Sequence, residues 1–487
     1  MAETNELEFV GRILDNVHGF IYFTRAEERI MDTLLFKRLQ SIKQLSIVNW
    51  VFPGSEHTRY VHSLGVMFIA DKIALQLGLP IEKRKIVRLA GLLHDIGHYP
   101  LSHVCELPYK ENLEDFPDDE YCKAINQKTK KEIDELEDKP NYIFMKNSKG
   151  CHHEQIGADI VCNNQEIKSI IIEECDENAP EIIADMITGN VDRTDPLLVQ
   201  ILHSELDADG IDYLMRDAMF SGTSFGAFEL DQLIGCMCIG KYKDYEILCI
   251  SPKGIAAADQ YLINKFFSYS QVVYNKHIEI TEWMAEQIVN WMQRNNAYFP
   301  KTSQLKKWVM ATEADKEYIN FTDNFFWASL QNILTNPLKD TEPYFIKKFC
   351  EQLLHHNELE FEENSEVKVL DSKLENIRGE LISSNYYERL EHWTDRIGLL
   401  KMRRISKQIQ QEEFDELIRE KVSEGNKRPN DEDIVTEEDS QMWQARRLME
   451  CICIKENDGV HLLCDDKRSL MRNMYSMNMA IFRTYKC

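Results

Sequence analysis

No stretch of this chain is apolar for long enough to span a bilayer. Of its 487 residues 43% are hydrophobic and 29% charged, and the mean hydropathy is −0.42, so no membrane-spanning helix and no membrane partner is expected. The opening residues, MAETNELEFVGRILD, lack a basic segment running into an apolar one. A secretory signal is therefore not expected, and the cytoplasm is the expected location. Cysteine pairs at ligand spacing are also missing. The 13 cysteines are scattered, and the nearest neighbours are Cys236-Met-Cys238 and Cys451-Ile-Cys453, which argues against a disulfide scaffold and for reduced, buried thiols. Basic charge is scarce: 57 Lys and Arg stand against 82 Asp and Glu, a net charge of −25. Long-range attraction to nucleic acid is thereby opposed, although a local basic pocket remains compatible with it. A phosphate-cradling GxxxxGK[ST] loop and internal repeats are absent as well, which excludes P-loop and solenoid readings.

What the chain has in abundance is helical periodicity. Apolar residues recur at helical spacing in MFIADKIALQLG, RKIVRLAGLLHDIG, IGADIVCNNQEIKSIII and ITEWMAEQIVNWMQ, so the expected fold is mainly α. A single small β-hairpin is expected in KYKDYEILCISPKG, where Tyr242, Tyr245, Ile247, Cys249 and Ile250 flank a turn-like Lys-Asp. Residues 1–281 are expected to form the chemical core. Residues 107–150, polar and charged, read as an insertion or lid. Residues 282–487 read as a helical C-terminal region with an exposed acidic loop near 424–440.

Histidine is concentrated rather than spread. Seven of the 14 histidines lie between His57 and His153, within FPGSEHTRYVHSLGV, LLHDIGHYPLSH and CHHEQIGAD, and an acidic motif, ELDADGIDYLMRD, follows. In the second motif an apolar helix runs into His94-Asp95, and Gly97 and Pro100 then discourage regular helix. An adjacent His and Asp can give one nitrogen and one oxygen to a single ion. With His62 and Asp209, each in its own helical pattern, they make a mixed N/O set that suits Fe²⁺, Mn²⁺ or Mg²⁺ better than Zn²⁺ and leaves coordination positions open for water. His94 and His98 also stand at i, i+4, as in HExxH metalloproteases. Here Asp95 replaces the glutamate base and the helix is interrupted, so that alternative is set aside.

These motifs, with LLFKRLQSIKQLSIVNWVFPGSEHTRYVHSLGV, resemble the HD-domain deoxynucleoside triphosphate triphosphohydrolases over roughly residues 10–280. The resemblance implies a metal set of His62, His94, Asp95 and Asp209, with Asp207 in support. It implies Arg59 as a phosphate contact and His98, His103 and His153 near the α-phosphate, with Glu106 where an aspartate usually orients the catalytic histidine. His103 and Glu106, at i, i+3, would share a helix face. Gln44 and Leu45 would lie on the deoxyribose side, Tyr213, Asp217 and Tyr274 at the pocket floor and the 3′-hydroxyl, and Asn275 where several relatives have glutamine. The implied reaction converts a dNTP to deoxynucleoside and inorganic triphosphate, with His103, oriented by Glu106 or His153, as general acid.

Two departures bear on the triphosphate. Gly210 stands where relatives have lysine or arginine, and Phe266 where they have an arginine; Lys265, Lys276, His277 or an additional Mg²⁺ carried with the nucleotide would have to compensate. The resemblance also implies a homo-oligomer and a nucleotide activator beside Asp32, where Lys37 and Gln40 replace a glutamine and an arginine. The alternatives are an HD phosphodiesterase or nuclease acting on oligo- or cyclic nucleotides, and a nucleotide sensor in antiviral defence.

Overall fold

The computed structural model describes residues 6–110, 152–242, 245–295, 297–336, 344–357, 360–361, 367–371, 393–401, 449–457, 459–474 and 478–486. Most of the insertion expected at 107–150, and all of the acidic loop expected near 424–440, lie outside them.

The described core is helical. The helix Arg59–Gln76 is buried on nearly every side, from His62 through Ala74, which is why its apolar pattern shows little amphipathic contrast. Ile81–Leu93 packs along it through Ile86, Val87, Leu89, Ala90 and Leu93. Ala208–Ser221 crosses the same helix. It starts at Asp207, whose side chain accepts from the Gly210 amide, and stops at Gly222, whose φ of +71° suits a residue without a Cβ. These three helices bring His62, His94-Asp95 and Asp209 to one place. Ile255–Ser268 runs through a π-turn at Tyr269–Val273 into Lys276–Arg294, a distortion that sets Tyr274 at a helix junction.

Mainly α is the observed class, and the expected hairpin is present: Met237–Tyr242 pairs antiparallel with Tyr245–Ile250 in the register Cys238↔Cys249. It is not the only β element. Gly11–Asp15 pairs with Gly19–Phe23 in an N-terminal hairpin whose apolar residues sit among polar ones too short a distance for the pattern to stand out. Cys453–Glu456 adds parallel to the central hairpin through Ile250↔Ile454 and is followed by Gly459–Leu462. The C-terminal region also departs from expectation. Lys276–Arg294 crosses the 281/282 boundary unbroken, helices continue to Tyr344–Leu354, and beyond Asn357 most described residues are strands, with Asn478–Lys486 pairing with Glu360–Phe361, Val367–Asp371 and Trp393–Lys401. The tail also closes on the core: the Glu205 amide donates to the Glu450 carbonyl at 3.1 Å, and Gln200 Nε2 to that of Met449 at 2.6 Å. Most described cysteines are buried among apolar side chains.

Candidate metal centre and its surroundings

His62, His94 and Asp209 present ligand atoms within 4.8 Å of one another. His62 Nε2 lies 2.8 Å from Asp209 Oδ1 and 3.9 Å from Asp95 Oδ2. His94 Nε2 lies 3.5 Å from Asp95 Oδ1 and 3.7 Å from Asp209 Oδ1. His94 Nδ1 donates to the Gly91 carbonyl at 2.8 Å, which leaves Nε2 as the nitrogen with a lone pair, and that atom is buried without a hydrogen-bond partner. A buried imidazole nitrogen aimed at two carboxylates and a second imidazole fits a divalent ion. The fourth expected ligand, Asp95, lies beside this group and not within it: its Oδ1 approaches His94, and its Oδ2 accepts from Arg59 Nη1 at 2.7 Å.

Electrostatics within the cluster are strong. Burial alone would lower the His62 pKa, but hydrogen bonds to Asp209 and Asp212 outweigh it and lift the value to about 10. Burial pushes Asp209 up, while the hydrogen bond and charge of His62 bring it down to about 2. Asp95, also buried, is held well below the usual carboxylate range chiefly by Arg59 and His94.

Behind the ligands stands a network absent from the sequence-based expectations. Asp212 Oδ2 accepts from His62 Nδ1 at 2.7 Å and Arg216 Nε at 2.8 Å, and Oδ1 from His18 Nε2 at 2.5 Å and Arg216 Nη2 at 3.0 Å. Arg216 Nη1 donates in turn to Asp15 Oδ2 at 2.8 Å. Asp15 and His18 flank the turn of the N-terminal hairpin, so that hairpin is part of the site. Gly65 makes room for the network, since a Cβ there would lie 1.9 Å from Asp212 Oδ1. The i, i+3 spacing of Asp209 and Asp212 and the i, i+4 spacing of Asp212 and Arg216 were the available signals.

The expected histidine group assembles beside the candidate ligands. Glu106 Oε2 accepts from His103 Nδ1 at 2.9 Å, and Oε1 from His153 Nδ1 at 2.8 Å and from the His153 amide at 2.9 Å. The glutamate therefore orients both histidines, a reach that its longer arm permits. The Glu106 side chain is fully buried, whereas that of His103 is 65% exposed, so the outward-facing ring of the pair is His103. His98 and His153 stack with centroids 4.2 Å apart, and the three histidines form a second cluster with ligand-compatible spacing.

On the same side, Arg59 Nε donates to Ser102 Oγ at 2.8 Å, and Ser102 Oγ donates to the Lys43 carbonyl at 2.7 Å. Leu101 and Ser102 have φ of +48° and +54°, a region that side-chain-bearing residues seldom adopt. The Leu101 amide donates to Asp323 Oδ1 at 2.7 Å and the Lys43 amide to Oδ2 at 2.9 Å. Asp323, from the region expected to lack chemistry, is thus the brace of this loop. Burial raises its pKa to about 6 against the opposing pull of those two amides.

The expected sugar and base residues have mixed surroundings. Gln44 Oε1 is buried without a partner, and Leu45, Tyr213 and Tyr274 are half-buried. Asp217 Oδ1 accepts from His57 Nε2 at 2.8 Å, a partner not anticipated. Asn275 caps a helix, its side-chain oxygen accepting from the His277 amide at 3.0 Å, and Asp207 caps another. Lys265, a candidate to compensate for Gly210 and Phe266, is buried and donates to Glu205 at 2.9 Å.

The HD domain profile matches residues 59–214, a span containing every expected metal ligand. The chain is 29% identical over 281 residues to an uncharacterised protein of Methanocaldococcus jannaschii, covering 57% of this chain and about half (49%) of that protein. An uncharacterised Mycoplasma pneumoniae protein is 27% identical over 379 residues, 73% of this chain and 80% of its own. The deoxynucleoside triphosphate triphosphohydrolase of Bos taurus is 46% identical, but over 99 residues, 19% of this chain and 17% of that protein. Among solved structures, a hypothetical protein from Aquifex aeolicus superposes with a TM-score of 0.61 at 20% identity, covering 98% of this chain and 96% of its own. A phosphohydrolase from Bacteroides thetaiotaomicron does so with a TM-score of 0.59 at 18% identity, covering 98% and 100%. The overall fold is shared with both, and the chain contains an HD domain over residues 59–214.

Proposed function

We propose that this protein is a metal-dependent phosphohydrolase that cleaves deoxynucleoside triphosphates to deoxynucleoside and inorganic triphosphate. The observation that carries the hydrolase reading is the buried, unpartnered Nε2 of His94 facing His62 and Asp209, with the second nitrogen of each imidazole already engaged. His62, His94, Asp95 and Asp209 would hold a divalent ion, Fe²⁺, Mn²⁺ or Mg²⁺ in preference to Zn²⁺. When bound, such an ion lowers the pKa of a coordinated water and supplies hydroxide near neutral pH.

The chain's own groups then divide the remaining work. Arg59 orients a phosphate while its contact with Asp95 ties that orientation to the ligand set. His103, held at Nδ1 by Glu106, leaves Nε2 to protonate the departing 5′-oxygen. His98 and His153 line the same side. Gln44, Leu45, Tyr213, Asp217 and Tyr274 would receive the sugar, and Asn275 stays near it as a helix cap.

The dNTP assignment is supported by the partial similarity to the Bos taurus enzyme and by the motif resemblance. A second reading, a phosphodiesterase acting on oligo- or cyclic nucleotides, is favoured by one feature: Lys265 is tied to Glu205, so it does not make up for Gly210 and Phe266. Incubation of the metal-loaded protein with each dNTP, followed by chromatography, distinguishes the two. Deoxynucleoside and inorganic triphosphate are expected. Inert dNTPs together with cleaved oligo- or cyclic nucleotides would establish the second reading instead.

The proposal extends to a homo-oligomer. The N-terminal hairpin exposes Leu14, Phe20 and Tyr22 on one face, apolar surface that association would cover. Light scattering should give a mass above one chain, and a monomer at every concentration would oppose it.

A further inference from the structure

A histidine outside the ligand and acid groups is tied to the site through one side-chain bond. His57 precedes the helix Arg59–Gln76, and its side chain is fully buried. Its Nε2 lies 2.8 Å from Asp217 Oδ1. A carboxylate only accepts, so Nε2 carries the proton and donates. The other nitrogen, Nδ1, is buried without a hydrogen-bond partner among the described residues. A ring kept for packing alone would be more favourable as phenylalanine, which strands no polar atom. The bond to Asp217 is what the imidazole adds.

Asp217 is reachable where His57 is not. Its side chain keeps 8% of its surface open, and Oδ2 carries no hydrogen bond among the described residues and is not sealed from solvent. Asp209, Tyr213 and Asp217 recur at i, i+4 and i+8 on the helix Ala208–Ser221, so they share one side of it, with Asp217 about 12 Å along the axis from the candidate ligand. A carboxylate there would repel a phosphate chain. It suits the uncharged end of a nucleotide, where a hydroxyl donates to Oδ2. Opposite His57, across the antiparallel bridge Lys43↔Thr58, stands Gln44, whose backbone amide donates to the His57 carbonyl at 3.0 Å. The ring packs on Phe220 with centroids 4.7 Å apart. Backbone and ring are both fixed, and the Nε2 proton is aimed at one carboxylate oxygen.

We propose that His57 is a positioning residue for hydroxyl recognition: by holding Oδ1, it turns Oδ2 of Asp217 toward the 3′-hydroxyl of a bound nucleotide. The inference rests on the nucleotide reading above. His57 itself touches no substrate; it sets the angle at which Asp217 accepts.

The test is titration calorimetry of the metal-stripped full chain with dATP and with 2′,3′-dideoxyATP, which needs no turnover. Removing the hydroxyl leaves a partly buried carboxylate oxygen unpaired, so wild type should bind dATP about ten-fold more tightly than dideoxyATP. His57→Phe should bring the two within about three-fold, chiefly by weakening dATP. His57→Gln, whose side-chain amide puts a donor near the place of Nε2, should keep most of the preference. A merely structural role would weaken both nucleotides alike. In Asp217→Asn, adding His57→Phe should change the ratio no further. An undiminished ratio in folded His57→Phe, a His57→Gln protein as indifferent as His57→Phe, or equal or absent binding of the two nucleotides by wild type would overturn the proposal. A wild type that shows the preference yet hydrolyses no dNTP when loaded with Mn²⁺ would remove the triphosphohydrolase reading and leave the role of His57 standing.

Discussion

The histidine side and the arginine side of the candidate site are both buried and highly charged, yet they are held by different means. His62 is fastened from behind by Asp212, which also binds His18 and Arg216, and Arg216 is anchored again by Asp15. Several partners would have to fail before that ring could turn. Arg59 is positioned by Asp95 and by Ser102, the latter in a loop with two residues at positive φ that a distant carboxylate, Asp323, braces. The difference teaches that the histidine side is held by one continuous charged network, while the loop side leans on a few bonds, two of which end on Asp323. Loss of a ligand should therefore act through the ion, and loss of the brace through geometry.

The sharpest way to break this contrast is at a ligand. Asp95→Ala, or the double change His94→Ala with Asp95→Ala, should abolish metal binding and reduce hydrolysis by about a thousand-fold or more, with the circular dichroism spectrum retained. Wild-type turnover in a folded, metal-free Asp95→Ala protein would remove these residues from the chemistry. One layer back, Asp212→Asn should weaken metal affinity by about ten- to a hundred-fold, as for other carboxylates that orient a ligating histidine. Unchanged affinity by metal titration would mean that the His62 orientation is secured without it.

The loop side is probed by Asp323→Asn, which retains one acceptor for two amides. Turnover should fall about ten-fold while metal affinity stays near wild type, the reverse of the Asp212 pattern. The same variant carries a pH signature. The Asp323 pKa rises on folding from 3.8 to about 6, so the fold favours the protonated acid. Its contribution to stability is complete below about pH 3.8 and is lost as pH rises through 6. Relative to Asp323→Asn, wild type should lose up to about 3 kcal/mol between pH 4 and pH 7, read by urea unfolding at each pH. A constant gap would show that the carboxyl titrates normally. The smallest effect concerns the sugar: Tyr274→Ala should narrow the preference for dNTP over NTP in kcat/KM, because a ring beneath C2′ would exclude a ribose hydroxyl. Equal rates on ATP and dATP in wild type would make Tyr274 a packing residue.

The same contrast explains what could be read without coordinates. That His62, His94 and Asp209 would meet was legible because ligand chemistry restricts residue type, and motifs such as His-Asp at a helix end carry that restriction in a few adjacent letters. Glu106 was legible as a partner of His103 through i, i+3 spacing, but its second bond to His153 depends on chain folding across many residues. Asp323 and His18 were not legible. A lone aspartate at a helix start reads as a cap, and nothing local announces that it faces a loop 222 residues away. The strands beyond Asn357 were missed for a related reason: pairing partners such as Ile250 and Ile454 are remote in sequence, and short runs between acidic stretches satisfy helical spacing equally well.

The central claim is that the HD site works through a bound divalent ion. The most direct measurement is a titration of metal-stripped protein with Mn²⁺ at fixed dATP, following deoxyadenosine and inorganic triphosphate by chromatography beside Asp95→Ala. Activity should rise from baseline and level off near one site-bound ion per chain, and the variant should stay at baseline throughout. Full hydrolysis by the stripped wild type in the presence of a chelator, or restoration of Asp95→Ala by the same Mn²⁺, would contradict the account.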